Sequence, residues 1–129
     1  MTINYLLTPS NKLLFSFHRR DYRIEDGLYI DGGFDYTRSN GMIEKGNISD
    51  LIVHIREQFK WGRNYNKDGT RLDETEYALL KDLSTDHILA ILVYFTERLS
   101  YASKITSEWK AYHLIFIHEL KYRHENQIN

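Results

Sequence analysis

The chain has 129 residues, 42% of them hydrophobic, which is enough for one domain with a real core. Its 17 basic and 18 acidic residues nearly cancel, and this excludes a generic duplex-binding protein with a basic excess while leaving room for a local basic pocket. There is no cysteine, so neither a disulfide framework nor a thiolate metal site can form.

The opening segment MTINYLLTPSNK lacks a charged leader and does not read as a signal peptide. No apolar run reaches membrane-spanning length, and the longest, Ile88 to Phe95, reads as buried helix. The expectation is a protein of the cytoplasm with no membrane partner. In chain order, residues 3–7 read as a short strand and Pro9-Ser10-Asn11 as a turn. Residues 12–23 form a long strand candidate, Asp26-Gly27 a hairpin turn, and residues 28–38 the return strand. Asn40-Gly41 signals a second hairpin, and Met42 to Lys45 supplies the third strand of a meander. Helix follows, capped by Asn47 or Ser49, carrying Leu51, Ile52, Ile55 and Phe59 at helical spacing and ending near Lys60. Asp68-Gly69 marks another turn, and residues 75–83 read as a further strand. Ser84 caps a helix running to about Tyr101, and a last helix spans about 105–124 with Trp109, Tyr112, Phe116 and Leu120 as its stripe. No linker or composition shift marks a boundary. The expected fold is one α+β domain over 1–129, an N-terminal antiparallel β-meander with C-terminal helices packed on one face.

The hairpin from His18 to Tyr36 concentrates the functional signal. With Asp26-Gly27 as a two-residue loop, Glu25 faces Leu28, Tyr22 faces Asp31, Arg20 faces Gly33 and His18 faces Asp35. Strand alternation then puts Leu13, Phe15, Phe17, Leu28, Ile30, Phe34 and Tyr36 on a core face. His18, Arg20, Tyr22, Tyr29, Asp31 and Asp35 fall on a polar face, with Arg19 and Arg23 opposite. Gly32-Gly33 is a site for a bulge, or for close approach of a ligand or another backbone. The polar face reads either as a solvated surface with weak cross-strand ion pairs or as the floor of a pocket. In the second case arginines bind phosphate oxygens, Tyr and His stack on bases, and Asp accepts from ribose hydroxyls. Arg38 adds to this basic group. Arg123, at the end of the last helix, either favours the helix C-terminus or reaches a pocket.

Other constellations are weaker. Asn64, Asn66, Asp68, Gly69 and Thr70 partly imitate a calcium loop, but Thr75 stands where a bidentate Glu is needed, so a hairpin turn is the better reading. His113, His118 and His124 are spaced by five and six and do not share a helix face as metal ligands. No phosphate-binding Gly-rich loop or nucleophile elbow occurs. Catalysis would rest on His18 with Asp35 alone. No cofactor or metal is expected.

Four stretches and a closing segment carry a family resemblance. They are His18-Arg19-Arg20-Asp21-Tyr22; Asp31 to Arg38; Trp61-Gly62 with Asp68-Gly69; Leu80 to Leu83 with Asp86-His87-Ile88 and Ala90-Ile91; and Glu119 to Arg123. In these the chain resembles small accessory proteins of tailed phages. In size and organisation it is similar to the anti-Thoeris sponge family. That resemblance implies a homo-oligomer in the host cytoplasm that sequesters a cyclic ADP-ribose isomer or cyclic oligonucleotide without cleaving it. It further implies a pocket of arginines and an aromatic ring, with Arg20, Arg38 and Arg123 as counterparts and no general nucleic-acid binding. Two other readings stay open. One is inhibition of a host enzyme by direct contact through exposed Tyr and Trp of the helical half. The other is a small phosphodiesterase or nuclease.

Overall fold

The computed structural model describes residues 1–34, 36–66, 68–101 and 107–128. The arrangement is α+β, as expected, but the strands form three small antiparallel sheets rather than one meander. The first sheet places β1 (Thr2–Leu7) between β2 (Leu13–Leu14) and β6 (Glu44–Asn47). The second is β3 (Arg23–Glu25), β4 (Leu28–Asp31) and β5 (Arg38–Ser39), and the third is the hairpin β7 (Lys60–Tyr65) with β8 (Arg71–Leu79). The helices are α1 (Ile48–Ile55), α2 (Thr85–Tyr101) and α3 (Ser107–Glu125), and a 3-10 turn over Leu80–Asp82 leads into α2.

The predicted strand over 12–23 is broken. Residues 15–22 leave the ladder because two polar side chains offer the backbone better partners. Ser16 Oγ donates to the Asp21 carbonyl at 2.7 Å, and the Phe17 N–H donates to the Asp21 carboxylate at 3.1 Å. The return strand breaks at Gly32 and Gly33, whose φ angles of 97° and 94° lie in the left-handed region. The chain doubles back there, so that Asp31 pairs with Arg38. The Thr37 hydroxyl closes this loop on the Gly33 carbonyl at 2.6 Å, and Asn4 fixes it to β1 through the Phe34 carbonyl and the Thr37 hydroxyl. The expected third meander strand, Met42 to Lys45, shifts to 44–47 and pairs with β1 instead, Ile3 opposite Gly46. The turn at Asp26-Gly27 has the predicted register, with Glu25 opposite Leu28 and Ile24 opposite Tyr29.

In α1 the residues Ile48, Leu51, Ile52 and Ile55 recur at three- and four-residue steps and are all buried. Asn47 occupies the cap position without a side-chain cap bond. The helix stops at Ile55 rather than near Lys60; Phe59 is buried from the following turn, and Lys60 already starts β7, a strand the sequence did not suggest. The predicted strand over 75–83 sits at 71–79. Ser84 caps α2 as expected, its Oγ accepting from the His87 N–H at 3.1 Å. The calcium-like stretch is a hairpin turn, with Asn66 and Thr70 bonded across Asp68-Gly69 and the Asp68 carboxylate accepting from the Thr70 N–H and hydroxyl.

An aromatic cluster fills the space between the first sheet and the helices. The Phe17 and Phe59 rings meet at 5.1 Å, Trp61 and Phe116 at 5.1 Å, and Phe95 and Trp109 at 5.1 Å, all edge to face. Phe15, Phe34 and Tyr112 join the same core. Of the predicted core face, Phe15, Phe17, Ile30 and Phe34 are buried and Leu13 and Leu28 half-buried, but Tyr36 is exposed. Tyr36 follows the Gly32-Gly33 reversal, so strand alternation no longer governs where it points. No helix among the described residues is long and apolar enough to cross a membrane.

Candidate functional site

The turn over residues 16–21 is locked from several sides. Ser16 Oγ bridges the Asp21 carbonyl and the Gly33 N–H, the latter at 3.1 Å. Asp21 closes the turn by accepting from Phe17 N–H and donating its own N–H to the His18 carbonyl at 2.9 Å. Gly33 packs directly beneath: a Cβ there would lie 3.3 Å from the His18 carbonyl carbon. The glycine therefore admits another backbone, not a ligand, which settles the two uses its position allowed.

From α3, the Tyr112 hydroxyl reaches into the same turn. It stands 3.3 Å from the Phe17 carbonyl oxygen and 2.5 Å from His18 Nδ1. The His18 tautomer sets which of the two donates in this contact, and when Nδ1 is the donor the phenol is free to donate to the Phe17 carbonyl. Burial, and then the carboxylates of Glu108 and Asp21, push the Tyr112 phenol well above its ordinary range, so it stays a neutral donor.

The locked turn displays His18, Arg19 and Arg20 to solvent in succession. Arg19 makes a long ion pair with Glu108 at 3.7 Å. Arg20 has no hydrogen-bond or ion-pair partner among the described residues. The strand-based division that set Arg19 opposite Arg20 fails here, because both project from a turn.

The other predicted residues divide. Tyr22 lies beside Tyr29, ring centroids 5.8 Å apart, on the second sheet. On the same sheet Asp31 is bound by Arg38, Nε to Oδ1 at 3.2 Å, so this pair forms the cross-strand ion pair of the surface reading. The ladder ends at Arg23 opposite Ile30, and so His18 and Arg20 do not extend its polar face. Asp35 lies outside the described residues. Arg123 is buried and turned inward, donating to Glu119 at 2.7 Å, to the Thr85 hydroxyl at 3.1 Å and to the Leu80 carbonyl at 3.0 Å. It is a core tie between α3 and the start of α2, and is not gathered with Arg20 and Arg38.

Sequence reasoning missed Ser16, Asp21 and Tyr112 as the residues that shape the turn. Ser and Asp within a strand-like run are a signal for local side-chain-to-backbone bonding. Tyr112 gave only the signal of a helix stripe. Among the described residues no group of three or more His, Asp or Glu could hold a metal ion. Comparisons with protein-family models, curated proteins and solved structures find no match to this chain.

Proposed function

We propose that this chain is a non-catalytic binding protein, a phage anti-defence sponge that holds a cyclic nucleotide-type signal by its phosphates at the His18-Arg19-Arg20 turn. The observation that carries the reading is the state of the arginines. Arg38, Arg56, Arg63 and Arg123 are engaged by carboxylates, whereas Arg20 has no partner among the described residues and stands on a turn whose backbone is fixed by Ser16, Asp21 and Tyr112. A guanidinium on a fixed backbone binds phosphate at the cost of ordering its own side chain but not the loop as well. His18, Arg19 and Arg20 are exposed and a phosphate-bearing ring needs enclosure, so a second copy of the chain completes the pocket in this reading. The exposed Tyr22 supplies a stacking ring nearby in sequence.

The test is capture and release. The protein is incubated with cyclic ADP-ribose isomers and cyclic dinucleotides, filtered, then heat-denatured. Intact ligand recovered from the denatured protein is expected, and Arg20→Ala should weaken capture by about tenfold or more, the order for one charge-assisted bond, with unchanged melting. No depletion of any of these nucleotides overturns the sponge; recovery of a hydrolysed ligand points to the phosphodiesterase reading.

A second reading, contact with a host enzyme, is favoured by the exposed Tyr22, Ile24, Tyr36 and Met42. On the helical half, Tyr94 is exposed on α2 and would join them, whereas Trp109 is half-buried in the aromatic cluster.

A further inference from the structure

Far from the basic turn in sequence, the β7–β8 hairpin and the beginning of α2 enclose an open groove of about 890 Å³. Its wall carries an aromatic platform. Tyr77 is the cross-strand partner of Gly62. A Cβ on Gly62 would stand 3.1 Å from Tyr77 Cε1 and 2.8 Å from Thr75 Cγ2. The ring therefore lies across the bare backbone of β7, a glycine covered by its aromatic neighbour. Yet Tyr77 remains 70% exposed, so a second aromatic surface is open to solvent. Tyr65, also exposed, lines the same groove.

The polar groups in the groove are mixed: Arg63, Asn64, Asn66, Glu76 and Ser84 are bonded to other protein groups, and three more side chains are not, among the described residues. Asp82, Asp86 and His87 line it, and none has a side-chain hydrogen-bond partner among the described residues. Asn64 accepts from the Thr75 hydroxyl through Oδ1, which leaves its Nδ2 as a donor. Burial first, then the nearby Arg63 charge, lower the His87 pKa, so near neutral pH its ring offers one donor and one acceptor. Arg63 itself is paired with Glu76 at 2.5 Å.

We propose that this groove binds a neutral, polyhydroxylated ligand, a saccharide. Hydroxyls donate strongly to the Asp82 and Asp86 carboxylates and accept from Asn64 and His87. The apolar C–H face of a pyranose matches the exposed Tyr77 ring. Two carboxylates with no matching cation oppose phosphates and sugar acids, which separates this groove from the phosphate reading of the basic turn. A metal site is not formed here, because among the described residues no group of three or more His, Asp or Glu could hold an ion. The open form of the groove fits weak, reversible binding of one or two sugar rings rather than enclosure.

Amide and tyrosine resonances of the full-length protein, followed by NMR during titration with glucose, galactose, mannose, N-acetylglucosamine and their disaccharides, test this. At least one of these sugars should shift residues 62–65, 76–78 and 82–90 and leave residues 16–21 unmoved. Tyr77→Ala should weaken that binding by about tenfold, the order of one lost aromatic contact, while Tyr77→Phe retains it. Asp86→Asn should weaken it too. The proposal is overturned if none of these sugars shifts the groove, if Tyr77→Ala binds as well as the parent, or if spermine alone moves these resonances. Because the readout excludes Arg20, failure here leaves the capture experiment on the basic turn independent.

Discussion

Replacing Glu119 with glutamine should be the most damaging conservative polar change in this protein. The Glu119 side chain is fully buried and accepts three charge-assisted bonds: from Arg56 Nε at 2.9 Å, Arg56 Nη2 at 3.1 Å and Arg123 Nε at 2.7 Å. Arg123 is itself 4% exposed and Arg56 11%, so neither guanidinium can recover full hydration if the carboxylate charge is lost. The Arg56 guanidinium also lies over the Tyr122 ring at 4.6 Å, and Arg123 continues to Thr85 and the Leu80 carbonyl. One carboxylate therefore ties the end of α1, the middle of α3 and the entry to α2. Glutamine keeps the volume but turns one acceptor into a donor facing guanidinium N–H groups. Breaking a buried ion pair on one side costs about 3–5 kcal/mol. At about 2.1 cal/mol/K per residue, that corresponds to a fall in Tm of roughly 10–20 °C. Urea unfolding with an unchanged slope is the assay, since the slope checks that the two states compared are the same. Glu57→Gln is the control, because Glu57 pairs with Lys81 on the surface, where exposed pairs contribute about 0–1 kcal/mol. A Glu119→Gln loss no larger than that of Glu57→Gln would refute the reasoning, because it would mean that the guanidinium groups reach water despite their burial.

Two further outcomes are expected. Gly32→Ala should cost about 3 kcal/mol or more, because a Cβ there meets the Tyr36 carbonyl oxygen at 2.0 Å and the φ of 97° is already unfavourable; Gly27→Ala, at φ 78° with open space around it, should cost only about 1 kcal/mol, and equal losses in urea unfolding would contradict the doubled-back loop. Stability should also fall between pH 7 and pH 5: burial lowers the His87 and His118 pKa values below the ordinary 6.5, so the unfolded chain takes protons first, and stability held above that pH is lost as pH drops through the folded values. Melting curves across this range check the sign, and a Tm that is flat or rises toward pH 5 contradicts it; the lowered carboxylates of Glu57, Asp26 and Asp68 act only at more acidic pH.

The helices were legible because their information is local. Ile48, Leu51, Ile52 and Ile55 carry the helical period, and Ser84 with Asp86 announces the start of α2. The turns at Asp26-Gly27 and Asp68-Gly69 were legible for the same reason. The strands were less so. Residues 12–23 alternate like a strand, but Ser16 and Asp21 divert the backbone bonds that a strand would use. In β7, the run Lys-Trp-Gly-Arg-Asn-Tyr reads as a loop until Tyr77 is seen to cover Gly62 from the partner strand. The pairing of β6 with β1 joins residues about forty positions apart, from Tyr5 with Glu44 to Thr2 with Asn47, and no local pattern encodes it.

The same distinction decides what the arginines do. Three arginines in one short run, with Arg38 and Arg123 elsewhere, look alike in a sequence, since type and spacing show a charge and not its partner. Arg123 has Glu119 four residues before it, a helical pair visible in advance. That Glu119 also holds Arg56, sixty-three positions away, is visible only in the fold, and it converts a helix-end charge into a buried junction. Arg38 is matched to Asp31 because the chain doubles back at Gly32-Gly33. Once these partners are assigned, Arg20 is the arginine of the predicted site left without one among the described residues, on a turn fixed by Ser16, Asp21 and Tyr112. A rigid turn holding an unpaired guanidinium in water contributes little to folding, because neither its charge nor its stem is buried there. Under the proposed capture, Arg20→Ala should weaken ligand retention with unchanged melting, whereas Arg123→Ala should destabilise the fold itself.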